Sequence, residues 1–182
     1  MDGTSNTIAM SETATQSAFW PRDVRSGAVN ALPWNVGTVV GTSRQSCLNS
    51  RNGDELKAGV IATTSVIMEI GTNCAFSALP FHSTFCTINP PNSPKCMAGT
   101  GDNEDQPGLL PPSSYHTGGV TVLLFDGSVR FVMDTVDCGP ALAEPDRAGG
   151  TQANGPYPVR GPSVYGVWGA MGSPNGGESA SL

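Results

Sequence analysis

At 182 residues the chain is long enough for one domain with a buried core. Its 23 Gly and 15 Pro make up about a fifth of it, against a usual ~12%, and only 13% is charged, against ~25%; that argues against a helical bundle and against charge-driven disorder. The net charge of −6, with nine Lys and Arg scattered singly, leaves no basic stripe, which argues against nucleic acid and against an anionic membrane surface as partners.

No run approaches the ~18 apolar residues of a membrane span. The opening MDGTSNTIAMSE lacks the basic-then-apolar order of a signal peptide. The expectation is a cytosolic chain or the mature part of something longer.

In chain order, Asp2-Gly3 predicts a turn, and the polar/apolar alternation after it predicts a strand over 7–11. Residues 13–35 read as loop, with Trp20-Pro21 and Pro33-Trp34 as apolar anchors. VGTVVG (36–41) suits a short strand, and RNGDELKAG (51–59) a turn followed by one helical turn. VIATTSVIMEI (60–70) is rich in β-branched residues and predicts a strand. Prolines at 80, 90, 91, 94, 107, 111 and 112 then forbid a continuous element, so 87–113 is expected to be a long surface loop.

SYHTGGVTVLLFDGSVRFV (114–132) is the most patterned stretch. Val120, Val122 and Leu124 alternate with Thr121, Leu123 and Phe125, so both faces are largely apolar and the strand should be central. Asp126-Gly127 is a hairpin dipeptide, and Val129, Phe131 and Met133 alternate with a wetter face of Ser128, Arg130 and Val132. Residues 138–162 read as a Gly/Pro-rich insertion. PSVYGVWGAMG (162–172) predicts a short terminal helix whose stripe is Val164, Val167, Trp168 and Met171. A polar tail follows.

Candidate chemistry is sparse. His116 and Asp126 sit at opposite ends of one strand, about 30 Å apart at ~3.3 Å per residue, so they are not an acid/base pair within the hairpin. No GxSxG occurs, and His116 reads as a loop histidine at the strand entrance rather than as a general base. Asp102, Asn103, Glu104 and Asp105 concentrate hard oxygen donors that can hold calcium, without the EF-hand spacing; a solvated acidic loop is the simpler reading. Trp20, Trp34, Tyr115 and Tyr157 are either core aromatics or the lining of a glycan or small-solute site. Of the five cysteines, Cys86 and Cys96 bracket a Pro-rich loop that a disulfide would close, and Cys47 and Cys74 are further candidates; this points to an oxidising compartment. Cys138 reads as a free thiol.

His116, nine residues, then Asp126-Gly127 resembles the H-X9-DG signature of the prepilin-type, processing-associated proteins expanded in Planctomycetes, a family of unknown function. DGTSNTIAMSE (2–12), PPNSPKC (90–96) and W-x-A-M-G…GGE (168–178) resemble the same family, in the same order. Full-length members carry a prepilin-like leader and a long apolar helix, so the resemblance covers the C-terminal half. It implies a pilin- or pseudopilin-like extracytoplasmic subunit of a filament or secretion apparatus that binds its own kind. Membrane contact would come only through the absent helix. No catalytic residue carries over, and His116, Asp126 and Gly127 transfer as signature positions of unknown role. Some pseudopilins hold calcium in a C-terminal loop, which bears on 102–105, and a solute-binding label attached to the family keeps a binding module in view.

The expectation is thus a single α+β domain over 1–182, mainly antiparallel β, with loop insertions at 87–113 and 138–162 and a short C-terminal helix. The expected function is a non-catalytic pilin-like structural subunit that needs no cofactor. The alternatives are a secreted binding module and, third, a hydrolase using His116.

Overall fold

The computed structural model describes residues 3–15, 22–32, 40–60, 84–98, 108–141 and 163–174. Along them run β1 (Ile8–Ser11), β2 (Ala28–Leu32), α1 (Val40–Leu48), β3 (Arg51–Asn52), β4 (Glu55–Leu56), a 3-10 turn at Ala58–Val60, β5 (Lys95–Ala98), β6 (Gly108–Leu109), β7 (Gly119–Leu124), β8 (Val129–Met133) and α2 (Gly166–Met171). The class is α+β with mostly antiparallel sheet.

The alternating run after Gly118 forms the centre of the first sheet, in the order β1-β7-β8, antiparallel throughout. Val120, Val122 and Leu124 are buried, as their spacing requires, and Ile8 joins them opposite Leu124. The return strand packs the other way from the sequence expectation. Register pairs Val132 with Val120 and Arg130 with Val122, which turns Val132 inward and leaves Val129, Phe131 and Met133 between 51% and 64% exposed. Cross-strand partners share a face, so the register with β7 decides the orientation, not the apolar count of β8.

Helix α2 covers the inner face. Trp168 and Met171 are buried against Val120, Val122, Leu124 and Val132, with Val167 packed beside them. The helix starts at Gly166, later than Pro162, because Gly166 takes φ +60 directly against Asp137 and turns the chain there.

The second sheet has the order β2-β5-β6, parallel between β2 and β5 and antiparallel between β5 and β6. Its core joins Val24, Val29, Cys47, Leu56, Cys96 and Leu109. Strand β2 falls inside the expected loop 13–35. Helix α1 begins at Val40, inside the VGTVVG segment expected to be a strand. It is a poor helix by propensity and is fixed by tertiary anchors, a buried Arg44 and a disulfide at Cys47. The turn at 51–59 is a small β3-β4 hairpin ending in the expected helical turn.

The largest correction concerns 87–113. Its two described stretches, 87–98 and 108–113, are not a surface loop. Asn89, Asn92, Ser93, Lys95, Cys96 and Met97 are buried, and β5 and β6 arise there. The strand expected at 60–70 (apart from Val60, which ends the 3-10 turn), Trp20, Trp34, Cys74, Tyr157, the acidic group Asp102, Asn103, Glu104 and Asp105, and most of the 138–162 insertion lie outside the described residues.

Candidate functional site

The signature H-X9-DG spans β7, and each of its ends is bonded to β1. At the hairpin end, Gly127 takes φ +85, a conformation open to glycine at no steric cost, and its N–H donates to the Leu124 carbonyl at 3.0 Å. Asp126 Oδ1 accepts from Ser128 N at 2.9 Å and Ser128 Oγ at 2.7 Å, an Asx turn that closes the loop. The Ser128 hydrogen bonds hold the Asp126 carboxyl below its usual range. The same loop reaches across to the DGTSNT segment: Phe125 N donates to Thr7 O at 3.0 Å and Asp126 N to Thr4 O at 3.1 Å.

At the other end, Glu12 receives Ser114 Oγ–H at 2.7 Å on Oε2 and the Thr121 backbone N–H on Oε1. Burial pushes the Glu12 carboxyl up, but the bonds from Thr121 and Ser114 outweigh it and hold the group below its usual range. His116 Nε2 lies 3.6 Å from Glu12 Oε2 with the imidazole 68% exposed, and its backbone N–H donates to Ser114 Oγ at 3.1 Å.

Ser114, Glu12 and His116 are therefore together, but in an order unlike a hydrolytic triad. The carboxylate lies between the hydroxyl and the imidazole and itself accepts the Oγ–H hydrogen bond, so the imidazole is not the group placed on Oγ. Asp126 is at the far end of the strand, as its spacing requires. What the geometry does is fasten β1 to β7 at both ends.

A second polar cluster joins the two sheets, and sequence reasoning missed it. Asn92, at φ +57, donates from Nδ2 to Asp134 Oδ1 at 2.7 Å and to Gly119 O at 3.3 Å, and accepts Ser114 N at 2.7 Å. Its own N–H donates to Pro112 O at 2.9 Å. Nearby, Lys95 is 1% exposed and its Nζ donates to the Arg25 carbonyl and, at 2.6 Å, to Ser113 Oγ. Burial lowers its pKa to about 7, only partly offset by Asp23. Ser113 Oγ also receives Ala14 N at 3.0 Å. PPNSPKC carried no signal of this burial, because a proline-rich segment with Asn, Ser and Lys reads as a solvated loop.

Cys96 is bonded to Cys47, not to Cys86, across a sequence separation of 49. The bond ties α1 to β5 and leaves Cys86 and Cys138 as thiols. Burial pushes the Cys138 thiol up to about 11 despite Arg44 nearby, which leaves it unreactive at neutral pH. Of the four aromatics named as lining, Tyr115 is described: it is 57% exposed at an open groove with Arg22, Asp23, Arg25, Asp54 and Glu55. Among the described residues, no three His, Cys, Asp or Glu side chains gather as a metal site, and no helix is long and apolar enough to cross a membrane.

No curated protein and no solved structure matches the chain. A family model described as "Protein of unknown function (DUF1559)" matches residues 1–139, which takes in β1, the disulfide, the buried PPNSPKC segment and the whole hairpin. On that match the chain belongs to the DUF1559 family, the family of the H-X9-DG proteins.

Proposed function

We propose that this chain is a non-catalytic, pilin-like structural subunit of an extracytoplasmic filament or secretion apparatus, interacting with copies of itself or with similar subunits. The observation that carries the reading is the use made of the signature. Asp126 and Gly127 close the hairpin, the Asp126 N–H binds the segment that leads into β1, and Ser114 and Glu12 join at the other end beside an exposed His116. Residues that build a sheet rather than face a cavity fit a structural subunit. The Cys47–Cys96 bond fits an oxidising compartment, where disulfides persist. A requirement for calcium at Asp102, Asn103, Glu104 and Asp105 is not part of the reading.

Fractionation of cells expressing the native gene, with electron microscopy of antibody-labelled surface material, tests it. The expected result is label in extracytoplasmic polymer or apparatus; label confined to the cytosol overturns it. A second reading, a secreted module for a glycan or small solute, draws on the Tyr115 groove with its two arginines. It requires saturable solute binding that Tyr115→Ala removes.

A further inference from the structure

The outer face of the β1-β7-β8 sheet is apolar and uncovered. Met10 is 65% exposed, Val129 64%, Phe131 51% and Met133 61%, and Phe125 at the hairpin turn is 62% exposed. Register places these side chains in adjoining rows: Met10 beside Leu123 beside Val129, Thr121 beside Phe131, and Gly119 beside Met133. The Phe131 ring lies over Gly119, where an added Cβ would meet its Cε1 and Cζ at 2.8 Å. None of the seven paired positions named here carries a charge, and the carboxylate of Glu12, next along from Met10, is tied to the Thr121 N–H and Ser114 Oγ, although the chain as a whole has a net charge of −6.

Isolated exposed hydrophobes are ordinary, but a contiguous patch is not. Five side chains of this size, half to two-thirds exposed, present on the order of 500 Å² of apolar surface. Since interfaces are about 60% apolar, that area is the centre of a footprint of roughly 800 Å² per partner, the size a specific complex needs. An anionic membrane is a poor occupant, because no Lys or Arg stands among the described positions paired on this face and the chain is acidic. A charged protein is a poor occupant of an uncharged centre. A second copy of the same face meets both conditions, since a twofold axis sets apolar rows on apolar rows and leaves the acidic surface outside.

We propose that two copies of this chain pack their outer β1-β7-β8 faces together, sheet on sheet about 10 Å apart, with Phe131 at the centre. This gives a contact surface to the structural-subunit reading and rests on it. The contact is hydrophobic between two like-charged bodies, so raising the salt, which shortens the Debye length to about 3 Å at 1 M, tightens it. An ion-paired interface would weaken instead.

Sedimentation equilibrium of the whole chain, from about 1 to 200 µM and at low and high salt, tests the contact, with Phe131→Glu and Val129→Lys as variants. The expected result is a concentration-dependent dimer that tightens with salt and weakens at least ~30-fold in each variant, the size of a central interface residue. Far-UV circular dichroism and the melting temperature identify a variant that has merely misfolded, and Val129→Lys, at the more exposed site, stands in if Phe131→Glu does. A wild-type chain that stays monomeric throughout, or a dimer that both folded variants leave unchanged, overturns the proposal. So does a monomer that binds neutral phosphatidylcholine vesicles through Phe131, or one that takes up an apolar helical peptide there. Labelled polymer in cells carrying folded Phe131→Glu would remove this contact and leave the structural-subunit reading standing.

Discussion

The Lys95 ammonium is almost wholly buried, held by the Arg25 carbonyl and Ser113 Oγ, with a folded pKa near 7 against an ordinary 10.5. Between those two values the unfolded chain binds a proton that the folded chain does not, so stability rises with pH across that window. Urea titrations of wild type and Lys95→Met from pH 6 to 10 should show their difference moving in favour of wild type above pH 7, by up to about 1.4 kcal/mol per pH unit. Parallel pH profiles would show that burial does not perturb this group. Ser114 and His116 make a contrasting pair at the same scale. Ser114→Ala removes a buried hydroxyl that Glu12 and His116 N both use, and should cost about 1–2 kcal/mol. His116→Ala, at an imidazole 68% exposed, should stay within about 0.5 kcal/mol in the same melts.

Among the elements, the β7-β8 hairpin is the most fully encoded. Its strands follow the period of two, and Asp126-Gly127 supplies both the Asx acceptor and the positive φ. Gly127→Ala puts a Cβ on a left-handed residue and should destabilise by about 1–2 kcal/mol, read as a lower urea midpoint at unchanged slope. What the pattern could not supply is which way β8 faces. Both of its faces carry large apolar residues, and a period of two is blind to inversion. Helix α1 was illegible for another reason: Val40, Gly41 and Thr42 favour strand or turn, and the disulfide and buried Arg44 that hold the helix are distant partners. The α2 stripe was legible because Trp168 and Met171 are three apart on one face and both meet the first core.

For the molecule as a whole, the decisive unread feature was the PPNSPKC segment. Proline-rich sequence reads as surface because buried backbone groups must find partners. Here the Asn92 N–H donates to the Pro112 carbonyl, and its side chain bonds the Ser114 and Gly119 backbones and Asp134 at once, one of the ties between the two sheets. Asn92→Ala should lose those bonds and strain a φ of +57, costing on the order of 3 kcal/mol, while Asn92→Gly relieves the strain and should cost about 1 kcal/mol less. Equal losses would mean that the backbone angle is not under strain. The disulfide acts over the same range. It joins α1 to β5 across everything between, so a protease that cuts the chain anywhere from residue 48 to 95 yields two pieces that still travel as one. Such a nicked molecule keeps its mass on a non-reducing gel and falls into two bands when a thiol is added, and a cut subunit would stay in place in whatever it helps to build.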